Sequence, residues 1–66
     1  MKIQLNGEWR KLSQGISVHQ LLEDFGQDPR AVVVELNRKI LGREKLKNVY
    51  LRDKDVVEIV KLVGGG

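Results

Sequence analysis

One stretch of this chain, Ser17 to Gly26 (SVHQLLEDFG), carries the periodicity of an amphipathic helix, and its partner must come from the rest of the sequence. Val18, Leu21, Leu22 and Phe25 fall at i, i+3, i+4 and i+7, which gathers the apolar side chains into one stripe. Ser17 is a favourable N-cap, Gln20 stands three residues later as in a capping box, and Gly26 is placed to end the helix. A single apolar stripe has to be covered, and in the absence of a second helical pattern a β-sheet must cover it. The expectation is therefore α+β, with one main helix on one sheet.

The remaining sequence supplies strands. Lys2 to Asn6 alternates, with Ile3 and Leu5 on one face, and Asn6-Gly7 has the residues of a tight hairpin turn leading into a second strand through Trp9 to about Leu12. After the helix, QDPR reads as a loop in which Asp28 precedes Pro29. AVVVELN then reads as a central strand with Val32, Val34 and Leu36 on one side and Glu35 exposed on the other. In RKILGREKLKN, Ile40 and Leu41 fit a short strand or a turn, and Glu44 to Lys47 a helical turn. VYL (residues 49–51) reads as a brief edge strand and RDKD as a turn, and Val56 to Val63 is the longest β-type run. The crossover rule suggests that the strand following the helix runs parallel to its sheet neighbour. The economical arrangement is a mixed sheet of four to five strands, with the last strand in the middle and a domain over residues 1–63 followed by a flexible tail, Gly64 to Gly66.

Composition narrows the chemistry. A chain of 66 residues has room for one core, and it has no cysteine to provide a disulfide, a thiolate ligand or a nucleophile. The single histidine, His19, lies off the apolar stripe and reads as a solvated helix-start residue, so no metal site is expected. Asp53 and Asp55 fit a turn better than acid-base work. No apolar run approaches the ~20 residues of a membrane span, and the N-terminal residues alternate at once, so a soluble cytoplasmic protein is expected. The net charge is +3, with Lys and Arg interleaved with Asp and Glu as on a solvated surface. Trp9, Phe25 and Tyr50 are too scattered for a base-stacking platform, so no nucleic-acid partner is expected. Arg38, Lys39, Arg43 and Lys45 read as a solvated loop, with steering of an acidic partner as the second option. Trp9 fits either packing over the sheet edge or contact with a partner.

The last strand has two unlike faces. Val57 and Ile59 belong with the helix-facing core, whereas Val56, Glu58, Val60 and Leu62 point away and form a candidate partner-binding surface. Lys61 and Val63 share the core parity near the end of the sheet. The strand then runs into Gly64, Gly65 and Gly66, residues that are costly to order at roughly 1 to 2 kcal/mol for each backbone fixed.

Together, the NG hairpin, the capped SVHQLL helix, the VELNRKILGRE segment with its N-x-x-I stretch at Asn37 to Ile40, and the terminal GGG resemble the ThiS family of sulfur carriers over the whole chain. The resemblance implies a ubiquitin-like β-grasp fold. It further implies that the carboxylate of Gly66 is adenylated by a ThiF-type enzyme, that a sulfur-donor protein displaces AMP, and that the resulting thiocarboxylate gives its sulfur to a ThiG-type thiazole synthase in thiamin biosynthesis. On this reading the chain is a monomeric carrier and substrate with no catalytic residue of its own. It binds no cofactor, and the ATP is used by the partner enzyme. An α-carboxyl group with a pKa of about 3.5 is ionised at neutral pH, so it needs no general base. Three extended glycines reach about 10 Å, far enough to enter a cleft closed to the globular body. Three alternatives stay open: the carrier subunit of molybdopterin synthase, a ubiquitin-like modifier joined to lysines, and a small β-grasp RNA-binding module.

Overall fold

The helix forms where the apolar stripe requires it. In a computed structural model, which describes residues 1–62, α1 spans Val18–Asp24. The Ser17 hydroxyl accepts a hydrogen bond from the Gln20 backbone N–H at 3.0 Å. Only half of the expected capping box forms, because the Gln20 side-chain amide donates to Asp24 at 2.8 Å, one turn along the helix. Phe25 is the C-cap, and Gly26 follows with φ +69°, where a Cβ would be strained. Val18, Leu21 and Leu22 are fully buried. The expectations for Val63, Gly64, Gly65 and Gly66 fall outside the described residues.

Five strands cover the helix: β1 (Lys2–Leu5), β2 (Glu8–Lys11), β3 (Val32–Leu36), β4 (Lys39–Leu41) and β5 (Val56–Lys61), in the spatial order β2-β1-β5-β3-β4. Ile3 and Leu5 from β1, Val57 from β5, and Val32 and Val34 from β3 face the helix and make the core. Leu46 and Leu51, from the segment before β5, close it. This mixed sheet wrapped on one helix is the β-grasp arrangement, with the last strand in the middle as its composition suggests.

Two expectations are corrected. The strand after the helix, β3, is antiparallel to both its neighbours, β4 and β5, and the parallel pair is β1 with β5. The helical crossover does join strands of like direction, since β2 and β3 point the same way, but β1 and β5 lie between them. VYL is not a strand. Tyr50 makes only an isolated bridge to Ser17, flanked by bonds from Val18 N–H to the Val49 carbonyl and from Leu51 N–H to the Ile16 carbonyl, both at 2.9 Å. This segment must leave the ladder almost at once, because it buries Leu51 under the helix. The loop at QDPR contains a turn of 3-10 helix, Pro29–Ala31, capped by Asp28. The backbone N–H and then the side chain of Arg30 hold the exposed Asp28 carboxyl below its ordinary pKa.

Two asparagines in left-handed turn positions fasten β5 where its neighbouring strands run out. Asn6 (φ +50°) ends β1; its N–H donates to the Val57 carbonyl at 2.9 Å, and its side-chain oxygen accepts from Ile59 N–H at 2.8 Å. On the other side Asn37 (φ +51°) ends β3, donating from its N–H to the Val56 carbonyl at 2.8 Å and accepting from Val56 N–H at 2.9 Å. An amide side chain therefore continues each ladder past the end of a strand. Replacing Asn6 with Ala should lower stability by about 1–2 kcal/mol, through loss of the bond to Ile59 and the left-handed φ. Urea unfolding measures this, and an unchanged midpoint would show that the asparagine does not fasten the strand.

Candidate docking face and C-terminal tail

The side of the sheet away from α1 has no covering layer among the described residues. Strand register places its side chains in rows, because residues opposite one another in a ladder project to the same face. Gln4 is opposite Trp9 on one side and Val56 on the other. Glu58 is opposite Glu35, which is opposite Ile40; Val60 is opposite Val33. Leu62 follows, its N–H donating to the Ala31 carbonyl at 2.9 Å. Val56, Glu58, Val60 and Leu62 thus share one face, as their alternation predicts. Val56 is half-buried, Glu58 is exposed, and Val60 and Leu62 are 52% and 51% exposed.

The face is larger than the last strand alone suggests. Val33, Glu35 and Ile40 extend it across β3 and β4, and Ile40 is 71% exposed. The signal for Val33 was present in the period of VVVEL, where it shares parity with Glu35. Ile40 lacked one, since its place on the face depends on the Asn37-Arg38 hairpin. On the other flank Trp9 lies on the same face, its ring 5.1 Å from the Lys2 ammonium. Trp9 therefore packs on the open sheet face, where its ring is available to a partner.

Glu35 and Glu58 sit directly opposite each other, and neither belongs to an ion pair among the described residues. Together with Gln4, Asn37, Arg38 and Val56 they line a shallow cleft of about 420 Å³. A smaller hollow of about 160 Å³ crosses the sheet edge beside β4, where Val33, Ile40 and Leu62 of the open face meet Val32, Val34 and Leu46 of the core. The face thus passes from an acidic centre to an apolar end at the point where the chain leaves the described residues. The tail residues Gly64, Gly65 and Gly66 lie beyond it in sequence.

The histidine and the aspartates of the 53–55 turn make local contacts. His19 Nδ1 is 2.8 Å from Glu23 one turn along α1. Asp53 accepts from Lys2 N–H at 2.8 Å, and Asp55 accepts from Arg52 N–H at 2.8 Å and from the Asn37 amide at 3.1 Å. These carboxylates hold the turn before β5. Arg38, Lys39, Arg43 and Lys45 are exposed and divided between the two ends of β4, with Arg43 reaching the Arg30 carbonyl at 3.4 Å.

The topology, with the last strand in the middle of a mixed sheet on one helix, defines a β-grasp protein of the ubiquitin-like type. The ThiS family model matches residues 3–66. The sulfur carrier protein ThiS of Bacillus subtilis is 40% identical over 97% of this chain and 98% of its own length. A thiazole synthase of Paramagnetospirillum magneticum is 41% identical over the whole chain, which spans only 20% of that protein. The crystal structure of a thiamine biosynthesis protein (ThiS) from Geobacter metallireducens superposes with a TM-score of 0.87 at 30% identity, covering both chains fully. The chain belongs to the ThiS family.

Opposed like charges cost stability in a free sheet. Glu35→Gln should therefore raise stability by a few tenths of a kcal/mol at about neutral pH and low salt, read as a slightly higher urea midpoint. A fall in stability would show that Glu35 has a favourable role in the isolated fold.

Proposed function

We propose that this chain is the sulfur carrier for thiazole formation in thiamin biosynthesis, a protein substrate with no catalytic group of its own. The observation that carries this reading is the match to the ThiS family from residue 3 to residue 66, glycine tail included. The Bacillus subtilis relative, named a sulfur carrier, supports it over almost its full length. The Paramagnetospirillum magneticum relative, named a thiazole synthase, supports a ThiG-type enzyme as the acceptor, because a region like this chain makes up part of it.

The chemistry begins at Gly66. A carboxylate oxygen attacks the α-phosphorus of ATP in the site of a ThiF-type adenylyltransferase, forming an acyl-adenylate and expelling pyrophosphate. Hydrosulfide, delivered by a donor protein, then attacks the acyl carbon, AMP leaves with the electrons of the broken acyl–oxygen bond, and the thioacid proton passes to solvent. The product is a thiocarboxylate on Gly66, whose sulfur passes to the thiazole synthase. ATP is bound and consumed by the enzyme, and the carrier holds no cofactor.

The open face and the tail divide the work. Val60, Leu62, Val33 and Ile40 offer an apolar end, and Glu58 with Glu35 offers an acidic centre that a basic side chain of the enzyme can neutralise. Docking there offsets the entropy of ordering Gly64 to Gly66. The absence of Cβ atoms on Gly65 and Gly66 lets their backbone approach the nucleotide closely.

Incubation with a ThiF-type enzyme, ATP and sulfide should give a chain whose intact mass shows one oxygen replaced by sulfur, with the change mapping to Gly66 in tandem mass spectra. Stable adducts on lysines of other proteins, without thiocarboxylate, would instead assign the chain to protein modification.

A further inference from the structure

The central strand is paired on both sides for only part of its length. Val56 uses its N–H and carbonyl on Asn37, and Leu62 N–H reaches Ala31, so the even-numbered residues of β5 direct their backbone groups towards β3. The odd-numbered residues direct theirs towards β1. There Val57 accepts from Asn6 and Ile59 N–H is taken by the Asn6 side chain, after which β1 has already turned away into its hairpin. The Ile59 carbonyl and the Lys61 N–H and carbonyl face a side that holds no strand among the described residues.

A cleft of about 350 Å³ opens beside this bare edge, on the helix side of the sheet. Leu5, Phe25 and Ile59 make its apolar surface, and Asn6, Glu8, Arg10, Gln27 and the Lys61 side chain complete the lining. The Arg10 guanidinium lies 5.7 Å from the centre of the Phe25 ring and closes one wall. A bare backbone edge next to a side-chain cleft is the arrangement by which an added strand is recognised, with main-chain bonds for affinity and a pocket for every second side chain.

We propose that the free edge of β5 at Ile59 to Lys61 receives one extended segment of the activating enzyme, which pairs with the strand and places an apolar side chain in the cleft against Phe25 and Ile59. This rests on the carrier reading given above and adds a contact separate from the open sheet face. Its position argues for that occupant, because the edge lies immediately before Leu62 and the glycine tail. A strand paired there fixes the direction in which the tail leaves the domain and so aims Gly66 at the nucleotide. Lys61 also guards the edge in the free chain, since an exposed lysine discourages pairing with a second copy.

Amide hydrogen exchange read by NMR tests this on the unaltered chain, alone and with a purified ThiF-type adenylyltransferase. The Lys61 amide should exchange almost without protection in the free chain at every protein concentration, and be slowed about 100-fold or more in the complex. Lys61→Pro removes the N–H without touching the bonds to β3 and should weaken binding about tenfold, whereas Lys61→Ala, which keeps the N–H, should stay within about threefold. A complex that perturbs Val60 and Leu62 while leaving the Lys61 amide unprotected would overturn the added strand and leave the carrier reading standing. Failure of the enzyme to bind at all would overturn both. Concentration-dependent protection in the free chain would replace the enzyme segment with a second copy of this chain.

Discussion

Insertion of β5 between β1 and β3 is the constraint on which the rest of the structure depends. The last strand to emerge from the sequence must enter a gap left between two hairpins, and neither hairpin strand is long enough to pair with it throughout. Asn6 and Asn37 supply what the strands lack, each bonding β5 through both backbone and side chain from a left-handed turn. Val57, fully buried, then locks the strand onto Leu21 and Leu22 of the helix layer through the shared core.

The two faces of that strand have different surroundings. Its inward face contributes Val57 and Ile59 to the core, and its outward face contributes Val60 and Leu62 to a surface with no covering layer among the described residues. Burial follows parity from Val57 to Val60, with Val57 and Ile59 more buried than Glu58 and Val60, whereas Lys61 is exposed despite its inward parity, so the core and the open face share the same six-residue element, Val56–Lys61. The acidic pair Glu35 and Glu58 lies on the outward face, where opposed like charges cost a little in the free sheet; on the carrier reading a basic partner neutralises them. No described helix is long and apolar enough to cross a membrane.

Much of this was legible in the sequence where a local signal and its structural role coincide. The capped helix, the Asn6-Gly7 hairpin and the alternation in β5 each follow from periodicity or turn chemistry. The Asn37-Arg38 hairpin did not, because Arg38 adopts φ +71°, a conformation that its side chain gives no reason to expect. Ile40 was consequently missed as part of the open face. The segment containing Tyr50 carries β-type residues, but the need to bury Leu46 and Leu51 decides its path, and that need is non-local. The direction of β3 was misjudged for a similar reason, since the crossover rule relates β3 to β2 and cannot say which strands fill the gap. Glu58, Val60 and Leu62 were found through parity alone, whereas Val33 and Glu35 joined them only once the register of β3 against β5 was known.

On the carrier reading, Gly66 is the reactive group of this β-grasp protein. ATP–pyrophosphate exchange by a ThiF-type adenylyltransferase, measured with the full chain and with a chain lacking Gly66, tests it most directly. The account predicts exchange that depends on the full chain and is abolished by the deletion, with the same thermal unfolding curve for both proteins. Undiminished exchange with the shortened chain would contradict it.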